Sequence, residues 1–163
     1  MPKTVIGVMG GKEASEKTLA AARKMGFLIA KNGWVTLTGG RNEGVMDAAL
    51  HGAKDVLGGL TIGVLPGADR SGASEFCDIT VITGMGSARN QVNVLSCDVV
   101  VVCSGEAGTL SELALALNAG KNIVLLDFDA GTSFKKFEDK GLLIKVKTPE
   151  EAIEKIRLFL MGQ

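Results

Sequence analysis

The stretch VVVVCSGEAGTLSELALAL, residues 99–117, joins an uninterrupted apolar run to a helical pattern through a turn that contains two glycines. A run of five apolar residues is typical of a strand that is covered on both faces, as strands of parallel sheets are. The Leu- and Ala-rich segment that follows predicts a crossover helix. Because such crossovers are right-handed and join parallel strands, this stretch predicts an α/β domain.

The same alternation of strand and helix patterns runs through the whole chain. The strand candidates are 4–9, 34–38, 60–65, 78–82, 98–103, 122–127 and 142–147. The helix candidates are 14–31, 43–57, 109–119 and 149–161. We therefore predict one open, doubly wound, Rossmann-like α/β domain over residues 1–163, with a mostly parallel sheet of about six or seven strands and helices on both faces.

Composition and charge argue against several classes of function. Lys and Arg number 18, as do Asp and Glu, so no net field attracts nucleic acid or a membrane surface. The sequence shows no export signal, and no apolar run approaches the roughly 20 residues that span a bilayer. We expect a soluble, cytoplasmic protein with neither nucleic acid nor a membrane as its partner.

The residues that most often bind metals do not form a recognisable site. Cys77, Cys97 and Cys103 contain no CxxC pair and lie among apolar residues, which indicates reduced core thiols. His51, the one histidine of the sequence, lies in a helical pattern and is expected at the surface. We expect no metal site.

Glycines follow six of the predicted strands. They are Gly10, Gly11, Gly39, Gly40, Gly67, Gly84, Gly86, Gly105, Gly108 and Gly131. A tight turn explains any one of them equally well. Since the carboxyl ends of parallel strands share one edge of the sheet, where such folds bind ligands, their recurrence favours a site with exposed backbone at that edge.

The first motif at this edge is GEAGT, residues 105–109, followed by Glu112. Glycine-rich backbone at a helix N-terminus can bind an anion, and the Thr109 hydroxyl can donate a further hydrogen bond. Glu112 has two interpretations. Thr109 and Glu112 have the spacing of a capping box, as do Thr148 and Glu151, but Glu112 also follows the glycine turn of a central strand.

Two further motifs place cations near this edge. The segment TGMGSARNQVNV, residues 83–94, contains Arg89, whose planar guanidinium suits a phosphate or carboxylate, although a solvated helix residue is the alternative. The segment TGGRNEGVMDAA, residues 38–49, offers Gly39 and Gly40 as a backbone anion nest and Arg41 as a second cation. A tight loop with an exposed arginine is the alternative for this segment.

In this order and spacing, GGRNEGVM, ARN and GEAGTLSE resemble the LOG-like Rossmann family. That family includes cytokinin riboside 5′-monophosphate phosphoribohydrolases and molybdenum cofactor carrier proteins. The resemblance places Arg89, Asp98, Gly105, Gly108, Thr109 and Glu112 at the family's motif positions. The sequence departs from the hydrolase pattern with Asn90 in place of lysine, Ser104 in place of proline and Glu106 in place of the second motif glycine.

The resemblance implies two functions that the sequence leaves open. In a hydrolase, residues 105–109 would hold the 5′-phosphate of a nucleotide, Glu112 would contact the ribose and assist the attack of water, and Arg89 would orient the ligand. Met85, Gly10 and Gly11 would line the base. In a non-catalytic carrier, the same edge would bind a phosphorylated pterin, as in the molybdenum cofactor, or a nucleotide. A pure interaction module is a third interpretation.

The candidate residues follow from the motifs and the resemblance together. The candidate catalytic residues are Arg89 and Glu112, and the candidate ligand-binding residues are Gly10, Gly11, Gly39, Gly40, Arg41, Met85, Asn90, Gly105, Glu106, Ala107, Gly108 and Thr109. No cofactor is required for either function, and the expected bound molecule is AMP-like or molybdopterin-like. The resemblance also implies a homo-oligomer, a dimer or tetramer. Helices 43–57 and 109–119 are candidate contact surfaces, with a place in the core as the equal alternative.

Overall fold

A computed structural model describes residues 1–162 of the chain. The strands are β1 (Val5–Met9), β2 (Val35–Thr38), β3 (Thr61–Leu65), β4 (Ile79–Ile82), β5 (Val99–Val102), β6 (Asn122–Leu126) and β7 (Leu143–Val146). The helices are α1 (Glu16–Lys31), α2 (Gly44–Lys54), α3 (Arg89–Leu95), α4 (Ala107–Asn118), α5 (Lys135–Asp139) and α6 (Pro149–Met161). Short 3₁₀ turns precede α3 and α5 at Gly86–Ala88 and Thr132–Phe134.

The seven strands form one parallel sheet in the order β4-β3-β2-β1-β5-β6-β7. From β1 the chain moves outward to β4 and then returns to the other side of β1 with β5. The strand order therefore reverses between β1 and β5, and the crevice at such a reversal is where open α/β sheets bind ligands. The predicted Rossmann-like fold with its parallel sheet is confirmed.

Each face of the sheet is covered by three helices. Residues of α1, α2 and α6 pack against one face, where Ile6, Val8, Val99 and Val101 point. Residues of α3 and α4 pack against the other face, where Val100 and Val102 point, and side chains at α5 add to this layer. The alternate residues of β5 thus enter opposite layers, which is why the strand is apolar throughout.

The predicted strands are confirmed to within one residue at each end, and the four predicted helices are confirmed with small shifts. Helix α2 is shorter than predicted, and α4 begins at Ala107 rather than at residue 109. The short helices α3 and α5 were not among the predicted helices.

The cysteines are free thiols, as predicted, but they differ in burial. Cys97 and Cys103 are buried, which raises the pKa of each thiol to about 12, and the half-buried Cys77 has its pKa raised to about 11, again mainly by burial. His51 reaches the surface, as expected, but it is only partly exposed. Its ring is half-buried and stacks on Phe76, with ring centroids 4.2 Å apart.

None of the helices within residues 1–162 combines the length and the apolar character that crossing a bilayer demands. Within the same residues, no three His, Cys, Asp or Glu side chains form a group that could hold a metal ion.

Helices α1 and α2 approach each other backbone to backbone. A Cβ atom added at Gly26 of α1 would collide with the Ala49 carbonyl, whose carbon lies 2.8 Å away. A Cβ atom added at Gly52 of α2 would meet the Arg23 carbonyl, whose carbon lies 2.7 Å away. Because these obstacles are backbone atoms, a side chain at either position would force the helices apart.

We predict that Gly26→Ala lowers the free energy of unfolding by about 1–3 kcal/mol, the usual range for overpacking. The loss is expected although alanine is the better helix former by about 0.5–1 kcal/mol. Urea denaturation would measure it. Gly108→Ala is the matched control, because Gly108 is also helical and a Cβ atom there would meet nothing within 4 Å. Equal stability of the two variants would contradict the prediction.

Candidate functional site

A cavity of about 530 Å³ lies at the carboxyl edge of the sheet, at the exits of β1, β2, β3 and β5. Two backbone hydrogen bonds hold the central exits together, because Cys103 N donates to Met9 O at 2.8 Å and Gly11 N donates to Ser104 O at 3.0 Å. The cavity is lined by Met9, Gly10, Gly11, Lys12, Gly39, Arg41, Glu43, Met46, Pro66, Ser87, Arg89, Asn90, Glu106, Gly108, Thr109 and Glu112.

Most of the predicted site residues come together in this cavity. They are Gly10, Gly11, Gly39, Arg41, Arg89, Asn90, Glu106, Gly108, Thr109 and Glu112. All three motifs therefore contribute to one concave surface, although they lie up to about 70 residues apart in the sequence.

Four predicted ligand-binding residues lie outside the lining. Met85 is 49% exposed and does not face the cavity. Gly40 packs against the backbone of Gly63, Gly105 packs against Thr109 and Gly11, and Ala107 is an exposed first-turn residue of α4. Asp98, a motif position of the resemblance, precedes β5 at the opposite edge, where its Oδ2 accepts a hydrogen bond from Val5 N at 2.7 Å.

Several lining residues were missed by sequence reasoning. They are Met9, Lys12, Glu43, Met46, Pro66 and Ser87. Lys12 could have been found, because it follows Gly10 and Gly11 directly at a strand exit. Glu43 likewise precedes α2 at the next exit. Met46 gave no such signal, since an apolar side chain in a helix is equally consistent with the core.

The N-terminus of α4 faces the cavity without a side-chain cap. Its N-cap residue is Glu106, whose side chain makes no capping hydrogen bond. Leu110 N donates to Glu106 O at 3.0 Å, so the amides of the three residues before Leu110 precede the helical hydrogen-bond ladder. Unpaired amides and the positive end of the helix dipole favour an anion at this position.

The capping interpretation of Glu112 is wrong. Helix α4 begins two residues before Thr109, so Thr109 is not its cap, and Glu112 lies in the second turn. The Glu112 side chain is only 7% exposed, and its Oε1 accepts a hydrogen bond from Asn93 Nδ2 at 2.9 Å.

The second sequence of the same form does make a cap. Thr148 is the N-cap of α6, and its hydroxyl accepts a hydrogen bond from Glu151 N at 3.2 Å. Glu151 Oε2 in turn accepts from Lys147 N at 2.8 Å. The two sequences have the same spacing but different roles, because only α6 begins at its threonine.

The interpretation of Arg89 as a solvated helix residue is also wrong. Arg89 begins α3 and is 9% exposed. Its guanidinium donates to Gly39 O at 3.4 Å and to the side-chain oxygen of Asn90. Within residues 1–162 its Nε has no hydrogen-bond partner. A buried cation with an unused donor at a cavity is suited to binding an anionic ligand.

Burial changes the acidity of both groups. It raises the pKa of Glu112, against the opposing effects of the Asn93 hydrogen bond and the Arg89 charge. Burial also lowers the pKa of Arg89. The negative charge of Glu112 partly opposes this decrease, and the positive charge of Arg41 adds to it. An acid and a base are thus desolvated beside the same cavity, where electrostatic interactions with a ligand are stronger than in water.

Opposite charges balance around the cavity. Lys12, Arg41 and Arg89 supply three positive charges, and Glu43, Glu106 and Glu112 supply three carboxylates. Glu106 is the acidic residue that replaces a motif glycine, and it lies at the cavity beside the α4 amides. The site can therefore bind a compact anion with its amides and Arg89, and it offers carboxylate acceptors to N–H or O–H groups of the same ligand.

The chain is similar to a protein family and to several proteins of known structure. A sequence model described as LDcluster4, the SLOG cluster4 family, matches residues 3–153. The molybdenum cofactor binding protein from Rippkaea orientalis is 46% identical, with a TM-score of 0.91 over 98% of this chain and 99% of that chain.

Two further proteins are similar over different shares of the chain. The molybdenum cofactor carrier protein from Chlamydomonas reinhardtii is 42% identical, with a TM-score of 0.89 over 98% of this chain and 99% of that chain. A cytokinin riboside 5′-monophosphate phosphoribohydrolase from Mycobacterium tuberculosis is 32% identical over 117 residues, which are 67% of this chain and 62% of that protein.

We predict that Glu112→Gln raises the free energy of unfolding at pH 7. The raised pKa of Glu112 means that its neutral form favours folding below the unfolded-state pKa of about 4.3 and that this contribution is lost as the pH rises through the folded-state pKa. The carboxamide of the variant does not titrate, so its advantage should grow from pH 4 to pH 7. Urea denaturation at several pH values would measure this difference.

Glu151→Gln is the matched control for this substitution. Its amide oxygen can still accept from Lys147 N, so the capping hydrogen bond is retained and the loss should stay below about 1 kcal/mol. A loss of stability in Glu112→Gln at pH 7 would contradict the prediction and would indicate a structural role for the carboxylate.

Proposed function

The chain belongs to the SLOG cluster4 family, and from this membership and the geometry of the cavity we propose that it is a non-catalytic carrier of a phosphorylated pterin of the molybdenum cofactor type. The observation that carries the proposal is the uncapped N-terminus of α4, which opens with Arg89 onto a single cavity. The similarity of nearly the whole chain to molybdenum cofactor binding and carrier proteins supports it.

The phosphate of the ligand would occupy the N-terminus of α4. Gly108 leaves open space beside the first-turn amides, and Thr109 borders the cavity from the same turn. An anion at a helix N-terminus is stabilised by about 0.3–1 kcal/mol, and by up to about 2 kcal/mol where the site is partly buried. Arg89 would add a charged hydrogen bond from its unused Nε or a terminal nitrogen.

The remainder of the cavity would accept the ring system. Its volume of about 530 Å³ lies within the range of roughly 300–1,000 Å³ that is common for small-molecule sites. Met9 and Met46 provide thioether side chains, which adapt to a flat ring because they are unbranched and polarisable. Gly10 and Gly39 leave the backbone accessible between them.

Two departures from the hydrolase pattern favour binding over catalysis. Asn90 is neutral where hydrolases of the family carry a lysine, so the site has one cation fewer to stabilise developing charge. The Glu106 carboxylate replaces a motif glycine beside the α4 amides, where it can accept hydrogen bonds from N–H or O–H groups of a bound ligand. The site is consequently suited to retaining a ligand with further contacts, rather than to stabilising a transition state.

A phosphoribohydrolase is the second candidate function. It is favoured by the position of Arg89 and Glu112, which line the same cavity as the α4 N-terminus. In this function the Glu112 carboxylate, oriented by Asn93, would stabilise the positive charge that develops on the ribose during cleavage of the N-glycosidic bond. The similarity to the mycobacterial phosphoribohydrolase supports it over a smaller part of the chain.

We expect the purified chain to bind molybdenum cofactor that has been released from a molybdoenzyme, and Gly108→Asp to weaken this binding about tenfold or more. The added carboxylate would repel the phosphate at the α4 N-terminus. Gly108→Asn is the matched control, because it has nearly the same size but no charge. Retention of the cofactor during gel filtration would measure binding. No binding by the wild-type chain would overturn the carrier function.

We expect no release of free base when the chain is incubated with AMP or other ribonucleoside 5′-monophosphates. Chromatography of the reaction mixture would measure the base. Release that Glu112→Gln reduces about 10²–10³-fold, with nucleotide binding retained, would establish the hydrolase and exclude the carrier as the sole function.

A further inference from the structure

Arg41 and Glu43 line the cavity from the segment that follows β2. They follow β2, whereas α4 follows β5, and β1 lies between these two strands in the sheet. Because neighbouring strands are about 4.8 Å apart, the exits of β2 and β5 are separated by about 10 Å. A bicyclic ring with a short phosphate arm can bridge this separation.

The two side chains form an exposed pair. Arg41 Nη2 donates to Glu43 Oε1 at 3.3 Å, and the side chains are 43% and 37% exposed. This is the one side-chain hydrogen bond that either group makes within residues 1–162, so the pair has further donors and an acceptor to offer a ligand. Both residues line the cavity, which gives a ligand access to them.

The backbone around Arg41 is fixed by the segment that follows β3. Asn42 N donates to Gly72 O at 2.9 Å, and Ser74 N donates to Gly40 O at 2.8 Å. Arg41 itself forms an isolated β-bridge with Ala73. These hydrogen bonds fix the positions from which both side chains extend, so the pair does not have to be assembled by the ligand.

The hydrogen-bonding pattern of the pair matches one type of heterocycle. A pterin presents a ring N–H and a 2-amino group beside a 4-oxo group, and guanine presents the same amino-pyrimidinone edge. A carboxylate can accept both N–H donors of this edge, while an adjacent guanidinium can donate to its oxo group. Adenine instead presents an amino donor beside a ring-nitrogen acceptor, which would face the carboxylate unfavourably.

We propose that Arg41 and Glu43 recognise the amino-pyrimidinone edge of the bound ring, so that the cavity selects pterin-type or guanine-type ligands over adenine-type ligands. The inference rests on the proposed function, since it assigns the ring end of the same cavity whose phosphate end is formed by α4. Glu43 is the specificity-determining residue, because its carboxylate can accept the two N–H donors that adenine lacks in this arrangement.

The test uses two phosphorylated rings that differ at one position. These are 6-hydroxymethylpterin monophosphate and the corresponding lumazine, in which an oxo group replaces the 2-amino group. Isothermal titration calorimetry of the full chain should show about tenfold or more tighter binding of the pterin, which is the discrimination that a good bidentate contact provides. Glu43→Gln should abolish most of this ratio, because the carboxamide has one acceptor and introduces an opposing donor.

The ratio of the two affinities separates recognition from charge. Removal of a negative charge strengthens the binding of both phosphorylated ligands, but it leaves their ratio unchanged. Asp55→Asn is the matched control, because it removes the carboxylate from the Arg23–Asp55 pair, which is similarly exposed and lies outside the cavity. This variant should keep both affinities and their ratio.

The outcomes distinguish the two proposals. Equal binding of pterin and lumazine by the wild-type chain, or a ratio that Glu43→Gln leaves intact, would overturn the recognition by Glu43 even if molybdenum cofactor binds. Failure to bind both the cofactor and the pterin monophosphate would overturn the proposed function itself. Binding of the cofactor together with a ratio that depends on Glu43 would support both.

Discussion

The parallel pairing of β1 with β5 is the interaction on which the site depends. Their register aligns Met9 with Val102, so both strands end at the same level of the sheet. The hydrogen bond from Gly11 N to Ser104 O then keeps their exit loops in contact. A side chain at Gly11 would meet the backbone of Gly105 at 3.2 Å, so the close approach depends on the absence of one. Two loops that lie about 90 residues apart in sequence thereby become opposite walls of one cavity.

The cavity contains two buried charged side chains whose burial does not stabilise the fold. Arg89 and Glu112 are both largely buried, yet the guanidinium binds Gly39 and Asn90 while the carboxylate binds Asn93. The desolvation of a charged group is only partly offset by such contacts, and each group leaves hydrogen-bonding capacity unused. Residues of this kind usually occur where a ligand completes the network, which is why they favour this edge of the sheet as the place of the site.

The sequence allowed the framework to be predicted more fully than the site. Short runs of apolar and β-branched residues between helical patterns mark the strands, and several of them, such as residues 99–102, are apolar throughout, so all seven were found. Helix α3 was missed because it is short and carries polar residues that face the cavity rather than an apolar stripe. The capping interpretation of Glu112 failed for a related reason: where a helix begins depends on how its loop packs, and here Gly105 lets the backbone turn in before Thr109. Met46 enters the cavity through tertiary packing, which no local pattern reports, whereas Lys12 follows two glycines at a strand exit and could have been found.

The uncapped N-terminus of α4 has a thermodynamic consequence for the whole molecule. An anion that pairs with these amides finds them aligned only in the native chain, so occupancy is linked to the folding equilibrium. A ligand that binds only the native chain would raise the melting temperature. It would add about 2.7 kcal/mol to the free energy of unfolding when its free concentration reaches one hundred times the dissociation constant. The resistance of the chain to proteolysis in the cell would therefore increase with the fraction of the chain that has ligand bound.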